Sequence, residues 1–146
     1  MDTSMMKAIT YSEFGISTKV LKVKELPIPK VGKDEVLVAL EFSGSNPSDA
    51  KSRAGNRPGV PKPQFEQIVP NSDGSGIITA VGEGVNENRI GQRVWIWNGQ
   101  WQRPNGTAAE YISVPSAQAV EMPENMSFET GACLGIPGLT ASYCTL

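Results

Sequence analysis

Through most of the chain, apolar residues come in short runs separated by Gly and Pro. Met6-Lys7-Ala8-Ile9-Thr10-Tyr11 is one such run. Val20-Leu21-Lys22-Val23-Lys24-Glu25-Leu26 alternates apolar and polar with a period of two, the mark of a strand with one covered face. Pro27 and Pro29 end it, because proline cannot donate to a ladder. Glu35-Val36-Leu37-Val38-Ala39-Leu40-Glu41-Phe42 is more apolar, as a strand covered on most of its surface requires. Gly76 to Val81, Arg93 to Trp97 and Ala109 to Val114 predict further strands. Many short strands with turn residues between them predict a small barrel or sandwich.

Two stretches depart from this rhythm. Between Asn46 and Gln67, Ser48 to Ala54 suits one or two helical turns, and Gly55 to Pro63 reads as an irregular loop. A long loop in a compact β domain is a binding element or a mobile one. The last twenty or so residues turn helical. Ser127 suits an N-cap, with Glu129 in the first turn and a stop expected near Gly135. Pro137 suits the first turn of a second helix, and Leu139, Tyr143 and Leu146 form an apolar stripe on one of its faces. No C-cap signal follows, so the expectation is a piece of a longer chain, divided into a domain over 1–126 and a helical junction over 127–146.

Composition adds mainly exclusions. The chain has 146 residues, 39% hydrophobic and 19% charged, which suits one soluble globular domain. A net charge of -2, with both signs interspersed, lacks the concentrated basic surface that nucleic acid needs. There is no histidine, and the only thiols are Cys133 and Cys144, so a four-ligand zinc site is not expected. Both cysteines are expected to be small buried hydrophobes. The start carries no apolar secretory run, and no stretch approaches the ~20 apolar residues of a membrane span. A cytoplasmic protein is expected.

Five segments carry a family resemblance: Gly44-Ser45-Asn46-Pro47-Ser48-Asp49, Pro70-Asn71-Ser72-Asp73-Gly74-Ser75-Gly76, Val81-Gly82-Glu83-Gly84-Val85, Gly91-Gln92-Arg93-Val94 and Leu134-Gly135-Ile136-Pro137-Gly138-Leu139-Thr140-Ala141. In this order the chain resembles the zinc-free quinone oxidoreductase branch of the medium-chain dehydrogenase/reductase superfamily. The resemblance implies a β-rich α+β fold: a GroES-like, partly open β-barrel with short helices, ending at the start of an interdomain helix. A Rossmann domain would follow beyond this chain.

The resemblance also implies the chemistry. The first catalytic zinc ligand of the alcohol dehydrogenase branch falls at Asn46, and the second falls within Asn71-Ser72-Asp73, at Ser72. Asn and Ser are poor zinc ligands, and Asn98 to Thr107 lacks the cysteines of that branch's structural site. Without a Lewis acid, the substrate must be polarised by hydrogen-bond donors while NADPH supplies the hydride. A quinone or an α,β-unsaturated carbonyl suits such a site. Asn46 and Ser48 are the expected catalytic residues, and Asn46 and Thr140 would contact the nicotinamide. A homo-oligomer is implied, with no zinc and no nucleic-acid or membrane partner, and the isolated 146-residue chain should be inactive.

Simpler readings stand beside these. Asn46-Pro47 is also a good turn, and Asp49 a good helix cap. Thr140 also suits a helix surface, and Lys51 is by default an exposed lysine. Trp95, Trp97 and Trp101 either line an aromatic cleft or, more usually for aromatics in strands, fill the core. Asp49 to Arg53 lacks the tyrosine that some members of the branch carry there, which leaves alkenals and enoyl compounds open beside quinones. Gly74-Ser75-Gly76 and Gly82-Glu83-Gly84 lack the third glycine and the following helix of a dinucleotide loop, and are read as turns. The alternative to an enzyme is a standalone GroES-like binding or structural module.

Overall fold

A computed structural model describes residues 4–146. The first three residues, where the expected domain begins, lie outside the described residues. Two antiparallel sheets form the body. β1 (Met5–Thr10) pairs with β2 (Lys22–Pro27), and the second sheet has the order β6-β3-β4-β5-β7. Its strands are β3 (Glu35–Gly44), β4 (Asp73–Val81), β5 (Arg93–Ile96), β6 (Tyr111–Pro115) and β7 (Ala119–Glu121). Isolated bridges join Ala8 to Ala109, just before β6, and Tyr11 to Ile68, in the segment before β4, and the two sheets do not close into a barrel. This is the expected β-rich, partly open architecture with short helices.

The core follows from the period-two pattern. Val36 and Val38 of β3, Ile78 of β4, Val94 and Ile96 of β5, and Ile112 and Val114 of β6 are all buried in one cluster. In β1, Met6, Ala8 and Thr10 face inward while Met5, Lys7 and Ile9 face out. The strand expected from Val20 starts later. A helical turn, α1 (Ser17–Val20), comes first and turns Val20 into a separate cluster with Tyr11 and Ile68. Pro27 sits as the last residue of β2, where its missing N–H leaves no gap inside the ladder.

β4 starts at Asp73, three residues before the expected Gly76, so Gly74 and Gly76 are strand residues rather than turns. The reason is steric. The β3–β4 register shifts between Leu40 and Phe42, and a Cβ on Gly76 would sit 2.0 Å from the Ala39 carbonyl oxygen. Two backbones meet there at a distance only glycine allows. Gly84, at φ +89, does occupy a turn. β7 has three residues, too short to leave a readable alternation.

Helix α2 (Pro47–Ala54) lies where it was expected. Ser127 caps α3 (Phe128–Gly131), its hydroxyl accepting the Thr130 N–H at 3.2 Å. That helix ends at Gly131 rather than near Gly135. Leu134–Gly138 then forms a π-helical turn before α4 (Leu139–Cys144). Pro137 lies inside the widened turn and has no N–H to donate to an ordinary helical bond. The Leu139, Tyr143 and Leu146 stripe is exposed. Cys133 and Cys144 are exposed too, against the expectation of burial. Gly131 and Ala132 take the buried positions before Cys133, and α4 has no buried residue. No helix among the described residues is long and apolar enough to cross a membrane.

Candidate functional site

The site begins where β3 hands over to α2. Asn46 is extended at φ -116 and ψ 160, and Pro47 opens the helix with its φ already fixed. Asp49 accepts the Asn46 backbone N–H at 2.7 Å, so its carboxylate caps the helix, as the simpler reading held. The Asn46 side chain is buried and donates from Nδ2 to Asp73 Oδ2 at 2.8 Å. The same Oδ2 accepts the Ile136 N–H at 2.9 Å. One carboxylate oxygen thus ties the start of α2 to the π-helical turn. Its other oxygen, Oδ1, is buried without a partner among the described residues.

Burial pushes the Asp73 carboxyl above its ordinary value, against the pull of the Asn46 and Ile136 hydrogen bonds. Asp49 is also raised, first by burial and further by the nearby Asp73 charge, while its bond from the Asn46 N–H opposes the rise. A chain of hydroxyls supports Asp73 from behind. Thr107 donates to the Asp73 carbonyl at 2.5 Å and meets Ser43 Oγ at 2.9 Å, and Asn71 Nδ2 donates to Ser43 Oγ at 3.0 Å. Sequence reasoning missed Asp73 as a site residue. Its signal was position alone, the third residue of Asn71-Ser72-Asp73.

A cleft of about 310 Å³ opens beside this knot. Ser48, Asp49 and Ser52 of α2 form one wall, Asn98, Trp101 and Gln102 another, and Ser72 and Ile136 also line it. Ser48 Oγ is buried and has no partner among the described residues, so this wall holds an unused hydroxyl. Asn46 lies behind the wall, linked to it through the backbone of α2. Asn71, Asn98 and Gln102 all have positive φ, at 75, 51 and 54 degrees, so left-handed backbone gathers around the cleft.

The other expected residues divide. Thr140 is exposed on α4, one turn beyond Ile136 and outside the cleft lining. Lys51 is exposed and also lies outside it. None of the tryptophans is a core residue, which corrects the usual expectation for strand aromatics. Val94 and Ile96 take the inward positions of β5, leaving Trp95 on the opposite face. Trp97 is half-buried with its indole N–H on the Ala117 carbonyl, and Trp101 stands exposed at the cleft.

Three comparisons bear on this geometry. The family model for the alcohol dehydrogenase GroES-like domain matches residues 32–124. The rat synaptic vesicle membrane protein VAT-1 homolog is 34% identical over 93% of this chain and 32% of its own length. Rat quinone oxidoreductase is 33% identical over 94% of this chain and 40% of its own length. A mycobacterial protein whose structure is complexed with NADPH superposes with a TM-score of 0.82 at 29% identity, covering 95% of this chain and 40% of that one. The chain therefore spans well under half the length of each of these relatives.

Proposed function

The chain belongs to the alcohol dehydrogenase GroES-like domain family, and from that membership we propose that it is the substrate-side part of a zinc-independent NADPH-dependent reductase acting on a quinone or conjugated carbonyl. The observation that carries this reading is the α2 wall of the cleft, which Ser48 lines, with Asn46 held behind it. By the resemblance Asn46 falls at the first metal-ligand position of the zinc-type branch, and here its amide is held by a buried carboxylate, while Ser48 offers a hydroxyl with no partner among the described residues. The chain has no histidine to offer a metal, and no group of three or more His, Cys, Asp or Glu that would hold one is found among the described residues. Rat quinone oxidoreductase and the NADPH-complexed mycobacterial protein support the reaction class and the cofactor.

Asn46 and Thr140 are the residues that would hold the nicotinamide of NADPH, which would supply a hydride when bound. Ser48 Oγ donates to the substrate oxygen, and Asn46 sets the entry to α2 that aims it. Both act best on a carbonyl whose reduced form spreads its charge over a ring or an enolate. Thr140, exposed on α4, would contact the nicotinamide from the junction helix. Residues 1–126 form the catalytic domain and 127–146 the junction to a nucleotide-binding domain that holds the phosphates, so this chain alone is inactive. The parent is a cytoplasmic homo-oligomer, and exposed free thiols at Cys133 and Cys144 suit a reducing compartment.

The test starts from the source transcript past the codon for Leu146. A following strand, Gly-rich turn and helix supports the reading. The extended protein should then oxidise NADPH with a quinone or enone and keep that activity after a chelator. A stop codon at that point leaves a standalone module and ends the enzyme reading.

A further inference from the structure

A second recess of about 80 Å³ lies beside the cleft and shares Ser52, Arg57, Gln64 and Gln100 with it. Their characters differ. Ser, Asp, Asn and Gln side chains dominate the main chamber, whereas the recess is walled by Tyr11, Phe14, Val60, Pro63 and Ile68. Its floor is firm. Tyr11 and Ile68 are buried, pair through reciprocal backbone hydrogen bonds of 2.9 Å, and share a cluster with Val20, Phe14, Leu21 and Phe65. Val60 and Pro63 of the irregular loop supply the roof. The loop starts at Gly55, whose φ of +78 and close approach to Phe14 fix it against the same cluster.

We infer that this recess is a substrate subsite for a short alkyl substituent, so that the preferred substrate is a quinone or conjugated carbonyl bearing an apolar branch of about four carbons. The inference rests on the reductase reading of the main chamber. Size sets the limit. A cavity of roughly 150 Å³ accepts benzene, and this one has about half that volume, so it admits a short chain but not a second ring. Polarity sets the direction. The carbonyl head pairs with Ser48 in the chamber, and the alkyl group passes between Arg57 and Gln100 to leave water. Five side chains of the recess, Tyr11, Phe14, Val60, Pro63 and Ile68, are aromatic or aliphatic, and they favour an apolar group there.

The probe is a series of 2-alkyl-1,4-benzoquinones, from unsubstituted to dodecyl, titrated into the methyl-labelled 146-residue chain. Cys133→Ser and Cys144→Ser are included because exposed thiols add to quinones. Every member should shift the Ile136 methyls, which face the chamber. Only alkylated members should shift the Val60 and Ile68 methyls. Affinity should rise roughly fourfold per methylene up to about butyl and then level off. Val60→Phe fills the recess and should abolish that rise while leaving the unsubstituted quinone unaffected. Affinity that climbs without limit, or that Val60→Phe leaves unchanged, overturns the subsite, as does equal movement of all three methyl groups by every member. These outcomes leave the reductase reading intact. If no member moves the Ile136 methyls, the reductase reading of the chamber fails and the subsite falls with it. The wild-type shifts decide the matter even if Val60→Phe does not fold.

Discussion

The five-stranded sheet and the Asn46–Asp73–Ile136 knot lie next to each other and are built on opposite terms. In the sheet, seven Val and Ile side chains from four strands fill one dry cluster. In the knot, a buried carboxylate takes an amide and a backbone N–H on one oxygen, its other oxygen has no partner among the described residues, and left-handed residues stand around the neighbouring cleft. The difference separates two tasks. Aliphatic packing stabilises the sheet without needing any one partner, whereas each buried polar group in the knot requires a particular donor or acceptor in place. Stability should therefore depend on volume in the sheet and on geometry in the knot.

The largest effect should come from Ile112→Ala. Ile112 is fully buried, and losing its branched side chain leaves a cavity in a sheet that cannot collapse around it. The expected loss is about 2–5 kcal/mol, read from the urea midpoint with an unchanged slope. Ile112→Val should cost about 0.5–1.5 kcal/mol. A cost that does not track the volume removed would break the contrast.

Gly135→Ala tests the knot by geometry rather than volume. The new Cβ would lie 2.1 Å from Asp73 Oδ1, so the carboxylate must move and loosen its bonds to Asn46 and Ile136. The expected cost is about 1–3 kcal/mol. In an Asp73→Ala background the obstacle is gone and most of that cost should vanish. Strict additivity in that double-mutant cycle would show that the two positions are not coupled through this contact.

Asp73 itself separates shape from charge. Asp73→Ala leaves the Asn46 Nδ2 and the Ile136 N–H without their acceptor and should cost about 1–3 kcal/mol. Asp73→Asn keeps an acceptor oxygen in the same place and removes a buried charge, so it should be no less stable than the parent at neutral pH. The pH dependence has a fixed sign. Because burial raises the folded carboxyl above its ordinary 3.8, the folded state holds the proton more tightly. That contribution is fully present below the ordinary value and lost as pH rises through the raised one. The stability difference between the parent and Asp73→Asn should therefore shift against the parent as pH rises from 3.8. A difference that is flat with pH would mean that the charge is not buried.

Legibility in the sequence divides along the same line. The sheet was readable because period-two alternation is a local property, and four of its five strands, β3 to β6, follow from the sequence directly or nearly so. β7 escaped because three residues carry no period, and the early start of β4 escaped because Gly74 and Gly76 look like turn residues until the bulged β3 is placed against them. In the knot, the capping role of Asp49 was readable because it lies three residues from its partner. Asp73 was not, because its bonds reach Asn46 and Ile136 from 27 and 63 residues away. The tryptophans misled for a related reason. A strand pattern says that one residue in two faces inward, but only the neighbouring sheet decides that Val94 and Ile96 are the ones.

The smallest effect is also the one that most sharpens the contrast. Gln102 lines the cleft at φ 54, where a side chain costs roughly 1–2 kcal/mol. Glycine removes that penalty but gives back about 0.5–1 kcal/mol in unfolded-state entropy. Gln102→Gly should therefore stabilise the chain slightly, by about 0.5 kcal/mol in the same denaturation measurement. A gain would mark the cleft rim as a place where the fold tolerates strain for the position it gives a side chain, which no residue of the sheet does. A loss would mean that the Gln102 side chain holds the rim together, and the rim would then belong with the sheet rather than with the knot.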